Sequence, residues 1–117
     1  MNTLVENQLS EYEKTILVPA LVAGLNKMTG KNNIFSSKQC CDKMTKLDYK
    51  INDAVFRRCV QFIRDNNMVP GLIGTPQGYY KAVNRQEVQN YLNSLYERSA
   101  SIQKIILSVE KDLLTLK

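Results

Sequence analysis

Apolar residues recur at helical spacing from about Leu9 to Met28, which predicts an N-terminal helix. One face of this helix contains Leu17, Leu21, Leu25 and Met28. Pro19 falls inside the pattern and has no N–H to donate, so we expect the helix to kink or restart there. Gly30, followed by three polar residues, is a stop signal.

A second helix is predicted to begin at Ser36, because Gln39 three residues later completes a capping box. It should end near Lys46, and a short connection then leads to Asn52. Asn52 and Asp53 are both good N-caps for a third helix, because each side chain can accept a backbone N–H bond.

The third predicted helix runs to about Asn66 and separates its apolar and polar residues onto opposite faces. At 100° per residue, the inward face contains Phe56, Cys59, Val60 and Ile63. The outward face contains Arg57, Gln61 and Arg64, flanked by Ala54 and Arg58.

A β-hairpin is predicted between Met68 and Val83, where two short apolar stretches flank Thr75-Pro76-Gln77-Gly78. The proline fixes φ and the glycine permits a positive φ, so together they favour a turn. Tyr79 and Tyr80 alternate across the second strand, so one should pack on the core and the other should face outward. The outward tyrosine could touch a nucleic-acid backbone, although core packing is the more ordinary role for the pair. A short strand near Asn33 to Phe35 could join the hairpin.

The last element is a long helix that opens at Asn84, where Glu87 completes a second capping-box pattern. Its apolar positions repeat at an unbroken 4-3 spacing, which predicts a heptad seam in which only Ser99 is polar. We call this set the heptad seam: Val88, Leu92, Leu95, Ser99, Ile102, Ile106, Val109, Leu113 and Leu116.

Composition places these elements in a small globular protein with an uneven charge. The chain has 117 residues, 44% of them apolar, and a net charge of +5. Between Ser36 and Arg85 there are nine basic and four acidic residues, and the remaining segments are balanced. A net positive charge confined to the second and third helices and the hairpin is typical of a surface that contacts phosphate groups.

Other functional classes find little support in the sequence. The chain has no histidine, and Cys40, Cys41 and Cys59 lack metal-site spacing, so we expect ordinary thiols and no metal or cofactor. A redox role for the cysteines is the alternative. No nucleophile stands beside a base in a known motif, so we expect no enzymatic activity and no small-molecule substrate. The N-terminus does not resemble a signal peptide and no apolar run is long enough to cross a bilayer, so we expect a cytoplasmic location.

A set of motifs resembles the small winged-helix proteins of phages and prophage regions, which are generally treated as DNA-binding proteins. The matching positions are Pro19-Ala20-Leu21 through Leu25, Gly30-Lys31, Phe56-Arg57-Arg58, Ile63-Arg64, Gly78-Tyr79-Tyr80, Glu87, Tyr91, Leu95 and Arg98. The resemblance covers most of the chain, from about Tyr12 to Ile102. It implies a mainly α fold with a small β-hairpin: a winged helix-turn-helix with an added N-terminal helix and a long C-terminal helix. We therefore expect a winged-helix domain at 1–84 and a C-terminal helix at 85–117.

The expected function is binding to double-stranded DNA, as a phage or prophage regulator or a replication accessory factor. Arginine can bond guanine bidentately and glutamine can bond adenine, so the third helix would enter the major groove. The hairpin and neighbouring lysines would contact the DNA backbone. The candidate DNA-binding residues are Lys46, Lys50, Ala54, Arg57, Arg58, Gln61, Arg64, Gln77 and Lys81. The alternative for each of these residues is an ordinary exposed side chain with no DNA contact. The alternative function is a protein-interaction adaptor, because a winged helix can bind either DNA or another protein.

The long helix is expected to make the protein a homodimer. Its first half should pack on its own domain and its second half should pair with a second copy, because the apolar stripe would otherwise face water. The candidate dimerisation residues are Ile102, Ile106, Val109, Leu113 and Leu116. The alternative is a monomer in which the N-terminal helix covers the seam.

Overall fold

The structure is a computed structural model of the chain, and it describes residues 9–116. It is mainly helical, with a small two-stranded antiparallel hairpin. The chain divides between Val83 and Asn84 into two units. The elements in chain order are a π-helical turn (Glu13–Leu17), α1 (Val18–Leu25), a 3₁₀ turn (Lys31–Asn33), α2 (Ser37–Lys46), α3 (Asp53–Asp65), β1 (Leu72–Thr75), β2 (Gly78–Lys81) and α4 (Arg85–Thr115).

The N-terminal helix changes its hydrogen-bond register just before Pro19, where a π-helical turn in a continuous helix takes the place of the predicted kink or restart. The Val18 N–H bonds the Glu13 carbonyl, five residues back, and α1 then begins with Pro19 in its first turn. A missing N–H costs least at that position. α1 ends at Leu25, earlier than predicted, because the Lys27 and Met28 N–H groups bond carbonyls three residues back, so the chain continues as a tighter turn.

The caps of α2 and α3 follow the sequence closely. Ser36 and Gln39 form both bonds of the capping box, with N–H to side-chain oxygen distances of 3.1 and 2.8 Å. Asn52 is the N-cap of α3 and accepts from the Val55 N–H at 2.9 Å. Asp53 is therefore the first helical residue rather than the cap. The predicted starts of both helices are confirmed.

The hairpin has the predicted turn but shorter strands. β1 and β2 pair in register from Leu72 opposite Lys81 to Thr75 opposite Gly78, so Pro76-Gln77 form the turn. Thr75 Oγ1 accepts from the N–H groups of Gln77 and Gly78, both at 3.2 Å, which closes the turn.

The expected third strand is reduced to a single bridge at Phe35. Phe35 and Tyr79 exchange two backbone hydrogen bonds of 3.1 and 2.8 Å. Ser36 follows immediately as the cap of α2, so no room remains for a longer strand.

The core of the first unit lies between the N-terminal helix, α2, α3 and the hairpin. Its most deeply buried side chains are Leu17, Leu21, Leu25, Phe56, Cys59, Val60 and Ile63. Tyr80 is buried, whereas Tyr79 is half-buried and its ring lies 6.2 Å from that of Phe35 and 6.1 Å from that of Phe56. Tyr79 packs on the core as expected, and Tyr80, which points to the other face of β2, is buried as well, so neither tyrosine is the exposed one that was expected.

The second unit is α4, a helix of 31 residues. Asn84 caps it by accepting from the Glu87 N–H at 3.0 Å. The heptad seam continues through Leu113, but Leu116 has extended backbone beyond the helix end, so its predicted helical position is wrong. Exposed apolar residues of this unit include Ile102, Ile105, Ile106, Leu107, Val109, Leu113 and Leu114. Within residues 9–116, no helix is long and apolar enough to span a membrane.

Candidate nucleic-acid interface

The outward face of α3 presents four of the predicted site residues to solvent: Ala54, Arg57, Gln61 and Arg64. The opposite face packs into the core through four residues that are at most 2% exposed: Phe56, Cys59, Val60 and Ile63. The predicted division of this helix into an apolar and a polar face is therefore confirmed. Because the opposite face is buried, the rotation of α3 is fixed and these polar residues face outward.

Two acidic residues on α3 bond the polar side chains of this face. Arg57 Nε lies 2.8 Å from Asp53 Oδ2, and Gln61 Nε2 donates to Asp65 Oδ1 at 2.7 Å. Both are exposed contacts between residues four apart, so the Arg57–Asp53 pair contributes only about 0.3–0.5 kcal/mol. The Asp53 contact uses Nε of Arg57 and leaves the two Nη groups available for bidentate bonding.

Arg58 does not share the solvent exposure of its neighbour Arg57. Its Nη2 donates to Glu13 Oε2 at 3.2 Å, and the Glu13 carboxylate is nearly buried. Nε of Arg58 is buried with no hydrogen-bond partner among the described residues. The sequence interpretation placed Arg58 with the outward residues, whereas in the structure its guanidinium pairs with Glu13 and links α3 to the N-terminal helix.

Arg64 lies where α3 meets the hairpin. A Cβ added to Gly74 would stand 3.3 Å from Arg64 Nη1 and 3.2 Å from the Tyr79 ring. The Arg64 guanidinium therefore packs against the strand at Gly74, which keeps a basic group beside the hairpin. The absence of a side chain at Gly74 makes this approach possible.

The two predicted lysines beside α3 are both exposed. Lys46 is the last residue of α2, and Lys50 lies in the connection to α3. The Lys50 N–H donates to the Tyr12 hydroxyl at 3.0 Å, which anchors this connection to the N-terminal helix.

Gln77 and Lys81 lie at opposite ends of the hairpin. Gln77 is in the exposed turn, whereas Lys81 is at the open end opposite Leu72. Three strand steps separate Gly78 from Lys81, which is about 10 Å. Lys81 Nζ donates to Asn26 Oδ1 at 2.8 Å, so this lysine is directed toward the end of α1. The two residues do not form one contact surface at the hairpin tip.

Glu13 is the structural residue that the sequence reasoning missed. Ser10 and Glu13 bond each other's backbone N–H, at 3.4 and 3.1 Å, as a capping box does. The Ser10-Glu11-Tyr12-Glu13 spacing is a signal that could have been found. The pairing of Glu13 with Arg58, which is 45 residues away, leaves no such signal in the sequence.

The cysteines are not arranged as a reactive or metal-binding site. Burial is the main cause that raises the pKa of Cys40 to about 11 and that of Cys59 to about 11. Burial also raises the pKa of Cys41, and Asp53 adds to that increase. Within residues 9–116, no three His, Cys, Asp or Glu side chains are grouped to hold a metal ion.

Comparison with protein-family models, with curated proteins and with solved structures finds no match to this chain.

Proposed function

We propose that the first unit is a winged helix that binds double-stranded DNA. The order of α2, a short connection, α3 and a hairpin supports this assignment. In this interpretation α3 is the recognition helix and the hairpin is the wing.

The observation that carries the proposal is the exposed polar face of α3. Arg57, Gln61 and Arg64 occupy successive turns of a helix whose opposite face is fully buried. Arginine recognises guanine O6 and N7, and glutamine recognises adenine N6 and N7. Ala54 adds a small residue that allows close approach to a base edge or a thymine methyl group.

Lysines around this face would supply affinity that does not depend on sequence. Lys46 and Lys50 are exposed near the start of α3, and Gln77 is exposed in the hairpin turn. Each phosphate contact by a lysine releases counterions, so binding should weaken steeply as salt increases. Arg58 and Lys81 are assigned to internal contacts instead, because Glu13 and Asn26 already hold them.

The biological setting that this proposal fits is a phage or prophage regulator or a replication accessory factor. We also propose that α4 makes the protein a homodimer, through the exposed apolar residues from Ile102 to Leu113. A two-fold dimer would present two copies of α3 and favour a symmetric site.

Fluorescence anisotropy with a duplex selected from a random DNA pool, and with the unselected pool, tests the proposal. The wild-type protein should bind at low salt, and its affinity should decrease linearly with the logarithm of salt concentration. The Arg57→Ala, Arg64→Ala double variant should lose about 2–6 kcal/mol if both side chains contact bases. Lys46→Ala should lose less affinity, equally for all sequences, and should reduce the salt slope by about one.

The matched control is Lys104→Ala, which removes one exposed cation from the second unit. It should leave DNA binding unchanged. If the double variant is folded by circular dichroism and binds DNA as the wild type does, the docking face is wrong. Absence of salt-dependent DNA binding by the wild type would instead favour the protein-interaction adaptor.

A further inference from the structure

A groove of about 680 Å³ lies between α1 and α2, separate from the polar face of α3. Small residues of α1 form one wall: Ala20, Ala23 and Gly24. Cys40 and Met44 of α2 form part of the other. The volume falls within the range of sites that hold small molecules.

Chain segments before and after α2 contribute to the lining of the groove. Ile34 and Phe35 line it at the start of α2, and Leu47 and Tyr49 line it beyond the end of α2. The ten residues of α2 give the groove a length of about 15 Å. A groove that follows one ten-residue helix is short for a docked helix and suits a compact ligand better.

Gly24 leaves part of the groove unfilled. A Cβ added there would meet no atom within 4 Å, and the helical backbone at this position accepts any residue. The space is therefore not required by close packing of the protein itself. Substitution at Gly24 offers a direct means to fill the groove.

The charges lining the groove have one sign. Lys27 and Lys43 line it, and no Asp or Glu does. Within residues 9–116, the ion pairs of the structure involve other side chains. The groove thus combines an apolar surface with two exposed lysines, one in the turn after α1 and one on α2.

We infer that this groove binds a small amphiphilic anion, a carboxylate carried on an apolar chain. The chain would lie against the accessible apolar lining, which includes Ala23, Met28 and Leu47, and the carboxylate would pair with the ammonium group of Lys27 or Lys43. The inference goes beyond DNA binding and does not depend on it, because the groove uses none of the residues proposed to contact DNA.

Isothermal titration of the full-length protein with dodecanoate, in the absence of DNA and below micelle formation, tests the inference. We expect saturable binding of one dodecanoate per chain, weaker binding of dodecanol, and no binding of dodecylamine. Equal binding of the anion and the amine, or no binding of either, would overturn it.

Variants locate the site. Gly24→Leu should weaken dodecanoate binding about tenfold or more, because its side chain occupies the groove. Thr45→Leu adds the same side chain to α2 at an exposed position outside the groove and should change nothing. Ala23→Leu is a second filling variant, to be used if Gly24→Leu is not folded by circular dichroism. Unaltered binding by a folded filling variant would overturn the inference.

The charge requirement is tested separately. Lys27→Gln with Lys43→Gln should weaken dodecanoate binding several-fold and leave dodecanol binding unchanged. Lys14→Gln with Lys38→Gln removes two lysines outside the groove and should have no effect.

Sedimentation with vesicles of anionic phospholipid distinguishes a free ligand from a membrane surface. Binding to these vesicles without binding to dodecanoate would overturn the inference. Competition is a second test: if an acidic helical peptide displaces dodecanoate and octanoate does not, the inference is also wrong.

Discussion

Gly78 is the residue on which the position of the hairpin most directly depends. Its φ is 143°, and a Cβ added there would stand 2.0 Å from the Phe35 carbonyl oxygen. Backbone atoms cannot move aside as a flexible side chain can. The Phe35–Tyr79 bridge therefore requires glycine at this position, both for its backbone conformation and for the space it leaves.

Gly78→Ala should lower the free energy of unfolding by about 3 kcal/mol or more, because it adds strain and a backbone clash. Urea unfolding monitored by circular dichroism measures the change. Gly24→Ala is the matched control and should raise the free energy of unfolding by about 0.5–1 kcal/mol, since it improves helix propensity without a clash. Equal stability of the Gly78→Ala and wild-type proteins would contradict the geometry of the bridge.

The cysteine thiols should react slowly at neutral pH. With a pKa of about 11, Cys40 and Cys59 are almost entirely protonated at pH 7, and the thiolate is the reactive form. A chromogenic disulfide reagent should label them slowly in the folded protein and completely in denaturant. Rapid labelling of both thiols at pH 7 in the folded state would contradict their burial.

The same thiols give stability a defined dependence on pH. Their ordinary pKa is 9.0 and the folded value is about 11, so the unfolded chain loses these protons first. The contribution of these two thiols to the free energy of unfolding is therefore full below pH 9, and it is lost as the pH rises from 9 to 11. Cys59→Ala should reduce this alkaline loss, and urea unfolding at pH 8 and pH 10.5 measures it.

At the scale of single elements, α3 places two adjacent arginines in different roles. Arg58→Ala should lower the free energy of unfolding by about 1–3 kcal/mol, because it leaves the nearly buried Glu13 carboxylate without its cation. It should leave the salt dependence of DNA binding unchanged.

Arg57→Ala should show the reverse pattern, with little change in stability and a loss of about 1–3 kcal/mol in DNA binding. Urea unfolding and DNA anisotropy on both variants separate the two roles. Equal losses of DNA binding for Arg57→Ala and Arg58→Ala would contradict the assignment of Arg58 to Glu13.

Local sequence signals predict most of the helices and strands, but they do not predict side-chain partners that are distant in the sequence. The caps at Ser36 and Asn52 and the buried face of α3 each depend on residues within one or two turns. The partners of Arg58 and Lys81 are 45 and 55 residues away, so no local period reveals them. For the same reason sequence spacing shows which candidate side chains share a face but not which of them have partners inside the protein.

At the scale of the whole molecule, the exposed apolar residues of α4 make self-association the main prediction. Ile106→Asp should give a monomeric mass by light scattering at tens of micromolar, whereas the wild type should give a dimeric mass, because a buried charge opposes packing of the seam. Lys104→Asp, on the opposite side of the helix, is the control and should remain dimeric.

A chain that stops after Arg98 should also be monomeric, since it lacks the seam from Ile102 onward. Two results would contradict the prediction: a monomeric mass for the full-length wild type, or a dimeric mass for the shortened chain.

The bridge between Phe35 and Tyr79 also bears on the order in which the chain folds. Its two residues are 44 positions apart, and closing a loop of that length costs roughly 3 kcal/mol of chain entropy. α2 and α3 form from contacts within a few residues, and both lie inside this loop. We therefore expect them to gain structure early in refolding, while docking of the hairpin is a late step that waits for the loop to shorten around them.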